Sequence, residues 1–132
     1  LVALVSRTGG MDLFAGLLAG LSSGRTVTAV VGFVTGAVSV YSSSSGVVMP
    51  AFLPTVPALA AKLGGADPLA IASAINVGSH LVDVSPLSTL GALCIAASRD
   101  DAGRNRLFNQ MLAWGLSMCF AGALVCWLMF AG

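Results

Sequence analysis

Two clusters of small, oxygen-bearing residues carry whatever chemistry this chain can do. Tyr41 is followed by Ser42, Ser43, Ser44, Ser45 and Gly46, a run of hydroxyls set between apolar stretches. Further along come Asn76, Gly78, Ser79, Ser85, Ser88 and Thr89, with His80 and Asp83 among them. Hydroxyls and free amides at helix N-termini donate to an anion, and hydroxyl and carbonyl oxygens surround a hard cation such as Na⁺. The two clusters are therefore candidates for holding a small anion together with a coupling ion. The plainer reading of the serines is helix packing through small residues. His80 and Asp83, three apart, are either a structural pair or a group that couples to protons or cations.

Other chemistries lack their parts. A Ser/His dyad of the rhomboid type expects glycine two residues before the nucleophile, where Ser43 stands in the run ending at Gly46. No HExxH motif and no paired intramembrane aspartates are present, so no catalytic residue is assigned. Cys94, Cys119 and Cys126 have no metal-ligand spacing, and the last two, seven apart on one helix face, read as small packing residues. Net charge +1, with no basic patch, argues against a nucleic-acid partner.

The elements that must position these residues belong in a membrane. Of 132 residues 57% are hydrophobic and 8% charged, with a mean hydropathy of +0.96, whereas a soluble domain carries about a quarter charged residues. Val27–Tyr41 is nearly all apolar, yet at about 1.5 Å per residue it reaches only about 22 Å, short of the roughly 30 Å hydrocarbon core. The apolar character resumes over 47–61 but is punctuated by Pro50, Pro54 and Pro57. Residues 27–61 therefore read as a re-entrant hairpin with the serines at its tip, where non-helical backbone needs a polar cavity or burial in protein.

Ahead of the hairpin, residues 8–24 read as a short interfacial helix whose apolar stripe is Met11, Phe14, Leu18 and Leu21, with Leu17 beside it. After it, Asp67-Pro68 is a cap-then-proline helix start, and Ser85-Pro86 repeats the signal in mid-span. Residues 67–97 thus read as a discontinuous helix unwound at its centre. Residues 98–106 form the charged loop and hold Arg99, Arg104 and Arg106, three of the six basic residues. That bias puts the loop in the cytoplasm and, after a full span over 107–131, the C-terminus outside. The expected fold class is an all-α polytopic membrane fragment. Leu1, with apolar residues directly after it, reads as the continuation of a longer chain.

The run YSSSSGVVMPAFLPTVP from Tyr41 and the run INVGSHLVDVSPLSTLGA from Ile75 together resemble the malonate/dicarboxylate carrier group. That group sits in the ion transporter superfamily beside the divalent anion/sodium symporters. The resemblance extends from Thr8 to the C-terminus and implies the last part of the second of two inverted repeats. It implies secondary transport of a malonate- or succinate-like dicarboxylate, coupled to Na⁺ or H⁺, by alternating access. Site residues implied are Ser42 to Gly46 at the tip and Asn76, Gly78, Ser79, Ser85, Ser88 and Thr89 opposite. A coupling Na⁺ would fall to Ser43, Ser44, Gly78 and Ser85, and no other cofactor is expected. The family also implies a homodimer in the inner membrane of a bacterium, and residues 8–24 as the arm between scaffold and hairpin. The symporters carry Ser-Asn-Thr at the tip where this chain has only serines, so ion and anion stay open. Two other readings remain: a cation/proton antiporter or metalloid-anion efflux protein of the same superfamily, and a non-transporting packing fragment.

Overall fold

The computed structural model describes residues 7–42, 45–82, 84–98 and 101–130, with the backbone alone for Met11, Ser42 and Ser45. The described residues are all-helical, without strands. Helix α1 (Gly10–Leu21) starts from Gly9, whose φ of 73° is a turn that glycine adopts without strain. Its stripe is only partly covered. Ala15 and Leu18 are buried and Phe14 stacks edge-on against Phe52 at 4.8 Å, whereas Leu13, Leu17 and Leu21 are exposed.

Helix α2 (Val27–Ser42) is the centre of the molecule, packed between α5 (Pro68–Leu81) and α7 (Asp101–Phe130). Glycines make this close approach possible. A methyl group on Gly32 would come 3.2 Å from Cys126 Sγ, and one on Gly36 would come 3.3 Å from Cys119 Sγ. The same two glycines face the carbonyls of Ala74 and Gly78 on α5, at 3.7 and 3.5 Å from such a methyl group. Cys119 and Cys126 therefore serve as small packing residues, both buried.

The proline-bearing stretch after the serines breaks into α3 (Ser45–Phe52), a 3₁₀ turn (Leu53–Thr55) and α4 (Val56–Lys62). Pro54 and Pro57 each fall in the first turn of a piece, where the missing N–H costs no ladder bond. Lys62 donates from Nζ to the Asp12 carbonyl at 2.8 Å, fastening α4 to α1. Asp67 then caps α5, its carboxylate accepting from Leu69 N–H at 2.9 Å.

Helix α5 stops at Leu81, and α6 (Thr89–Ala96) begins after Ser88, which caps it by accepting from Gly91 N–H at 3.0 Å. The interruption is narrower than the sequence suggests: Gly78, Ser79 and His80 remain helical, and only the segment after Leu81 departs. The last helix is correspondingly longer, since residues 101–106, expected in a loop, form its first turns. Asp101 suits the positive end of the helix dipole and pairs with Arg104 at 3.3 Å. At 30 residues α7 is long and apolar enough to cross a membrane. It buries Gly115, Cys119, Gly122 and Cys126 and turns Trp114, Phe120, Leu124, Trp127 and Leu128 outward.

Candidate functional site

The C-terminal end of α2 meets the interruption between α5 and α6 through two buried hydrogen bonds. Ser39 Oγ donates to the Ser79 carbonyl at 2.9 Å, and Ser85 Oγ donates to the Val40 carbonyl at 2.7 Å. Val40, Val82 and Cys119 form a small apolar cluster at the same place. Gly115 of α7 completes it: a methyl group there would lie 3.5 to 3.9 Å from Val82, Ser85 and Val40 side-chain atoms. The end of the serine-bearing helix and the interrupted helix are thus held side by side at mid-length of α7.

The hydroxyls expected to face a ligand differ in burial. Ser79, Ser85 and Ser88 are buried. Ser79 Oγ donates to the Asn76 carbonyl at 2.9 Å, and Ser88 Oγ donates to the Ser85 carbonyl at 2.8 Å. Ser39 on the Ser79 carbonyl satisfies one of the last four carbonyls of α5, while Ser85 ties the interruption to the Val40 carbonyl of α2. Gly78 is buried too, so close to Thr35 Oγ1 and the Gly32 carbonyl that any larger residue would displace them. Thr89 is exposed at the start of α6 and Gly46 at the start of α3.

Asn76 and His80, one turn apart, are exposed and line an open groove of about 460 Å³ with Val77 and Leu81. His80 Nδ1 lies 2.9 Å from the Asn76 carbonyl. A carbonyl only accepts, so in this contact Nδ1–H is the donor. Ser79 Oγ is 3.3 Å from the same Nδ1.

Ser42 closes α2 and Ser45 opens α3. Ser43, Ser44 and Asp83 lie outside the described residues, and with them two of the four expected Na⁺ ligands and the pairing of Asp83 with His80. Of the other two, Ser85 directs its hydroxyl to Val40, and the Gly78 carbonyl faces Gly36 of α2. Among the described residues no three His, Cys, Asp or Glu side chains converge as metal ligands. Sequence reasoning passed over Thr35 and Ser39, although Thr35 falls three residues after Gly32 and Ser39 four after Thr35, the spacings that mark one helix face. Compared with protein-family models, curated proteins and solved structures, the chain matches none.

Proposed function

We propose that the chain belongs to a secondary active transporter that moves a small dicarboxylate, malonate- or succinate-like, by alternating access coupled to Na⁺ or H⁺. The observation that carries this reading is the pair of bonds from Ser39 to Ser79 and from Ser85 to Val40. They bring a serine-rich helix end against a helix interruption, the combination that transporters use to offer free amides and carbonyls at mid-membrane.

In this reading α7 spans the bilayer, α2 with α3 and α4 forms a re-entrant hairpin, and α5 with α6 is a broken membrane helix. The reading is supported by α7, which keeps its glycines and cysteines inward and its large apolar residues outward, as a lipid-facing helix does. The basic residues around 98–106 would be cytoplasmic and the C-terminus outside, in a bacterial inner membrane, with two copies per carrier. Ser42 to Ser45 and Gly46 would contact the anion from one side, and Asn76, His80 and Thr89 from the other. The hydroxyls of Ser79, Ser85 and Ser88 would hold the broken helix open behind them.

Uptake of labelled malonate and succinate by the full-length protein, with Na⁺ present or replaced by choline, tests the reading. Saturable uptake that falls when Na⁺ is replaced, or that follows an imposed proton gradient, is the expected result. A correctly inserted protein that accumulates neither acid under any of these conditions overturns it.

A further inference from the structure

A second cavity opens away from the helix interruption, where α2 and α5 begin and α7 ends. It measures about 230 Å³, and its walls include Gly24, Arg25, Thr28, Ala66, Asp67 and Phe130. Thr28 is 2% exposed, and its Oγ1 has no hydrogen-bond partner among the described residues. It stands apart in this respect. The other buried hydroxyls, on Thr35, Ser39, Thr55, Ser79, Ser85 and Ser88, each donate to a backbone carbonyl. A buried hydroxyl left without a partner costs folding free energy and marks a place where a partner belongs.

The surroundings say what that partner is. Thr28 sits in the first turn of α2, where the helix dipole favours negative charge. Arg25, exposed at the same mouth, has no ion-pair or hydrogen-bond partner among the described residues. Asp67, on the same cavity, uses Oδ1 to cap α5, which leaves its second carboxylate oxygen. The lining thus joins a guanidinium and an unpartnered hydroxyl with a carboxylate. We infer that the pocket binds a phosphate ester bearing an amine, with the phosphate on Arg25, Thr28 and the start of α2 and the ammonium beside Asp67. Such a head is either soluble phosphoethanolamine or the headgroup of a phosphatidylethanolamine lipid. Phe130 on the pocket wall and Trp127 one turn earlier put it at the end of the apolar helix, where lipid headgroups lie if α7 spans a bilayer. The inference stands independently of what is transported.

The test uses the full chain, delipidated in detergent, titrated with phosphoethanolamine, dioctanoyl phosphatidylethanolamine, dioctanoyl phosphatidylglycerol and inorganic phosphate while thermal unfolding is followed. Saturable stabilisation by either ethanolamine-bearing compound is expected. Binding of the lipid alone identifies the headgroup as the source, and equal binding of both identifies the soluble ester. Arg25→Gln and Thr28→Val should each weaken binding by about tenfold, the loss of one good hydrogen bond to a charged group. Asp67→Ser, which preserves the helix cap, should erase the preference for phosphatidylethanolamine over phosphatidylglycerol. Without ligand, Thr28→Val should leave the unfolding temperature unchanged or raise it, because no bond is lost. No binding of either ethanolamine compound, or binding indifferent to both Arg25→Gln and Thr28→Val, overturns the inference. So does a drop in ligand-free stability on Thr28→Val, since it would mean the hydroxyl already has a structural partner.

Discussion

At the scale of single residues, the interruption between α5 and α6 depends on two positions that accept nothing larger than hydrogen. A β-carbon on Gly91 would fall inside the Ser85 carbonyl group and within 3.0 Å of Pro86 Cα. One on Gly78 would collide with Thr35 Oγ1 and the Gly32 carbonyl, which is backbone and cannot swing aside. Gly20 of α1 is a built-in control, helical like the other two but with open space around it. Gly78→Ala and Gly91→Ala should therefore each destabilise by about 1–3 kcal/mol or more, as overpacked cores do. Gly20→Ala should stabilise by about 0.5–1 kcal/mol, because alanine loses less chain entropy than glycine in a helix. Thermal unfolding of the three variants in one detergent measures the difference. A loss of stability in Gly20→Ala equal to that in Gly91→Ala would contradict the close approach at Ser85.

At the scale of elements, α2, α5 and α7 are joined by small residues facing small residues, so each helix axis lies close to its neighbours. A β-carbon on Gly32 would stand 3.5 Å from Cys126 Cβ, at the short end of the roughly 3.5–4.5 Å that a disulfide requires. Gly32→Cys should therefore form a disulfide with Cys126 under mild oxidation. Alkylation after denaturation without reductant, followed by mass spectrometry, reads this out, since Cys94 and Cys119 are then labelled while a disulfide-bonded Cys126 is not. The consequence for transport follows from the packing. Helices that share a glycine-lined contact cannot slide without opening voids, so α2 and α7 should travel together. On the proposed transport reading, the oxidised variant should keep most of its malonate uptake. Uptake abolished by oxidation and restored by a reductant would show instead that α2 moves against α7 during the cycle.

At the scale of the whole molecule, the features legible in the sequence were those written locally. The Asp67-Pro68 cap, the break near Ser85-Pro86 and the apolar length of α7 each follow from adjacent residues. What lay hidden was non-local. Ser39 finds Ser79 and Ser85 finds Val40 across separations of 40 and 45 residues, and no periodicity announces a carbonyl so far along the chain. Burial was hidden as well, because exposed and buried apolar residues look alike in a sequence, as the neighbours Leu17 and Leu18 of α1 do. The outward face of α7 therefore calls for a measurement in a bilayer. The helix covers about 45 Å and the hydrocarbon core takes roughly 30 Å of it, about twenty residues. Its first turns hold Asp101, Arg104, Asn105, Arg106, Asn109 and Gln110, so the apolar twenty end near Phe130. If α7 spans the bilayer as proposed, Trp114 and Trp127, both more than 40% exposed, lie near the two edges of the core, the depth that tryptophan prefers, with Phe120 at its middle. Lipids brominated near the headgroup end of the acyl chain should quench the fluorescence of the reconstituted protein more than lipids brominated near the methyl end. In a Phe120→Trp variant lacking the two native tryptophans that order should reverse. Equal quenching by both lipids, or none, would mean that α7 does not cross the bilayer.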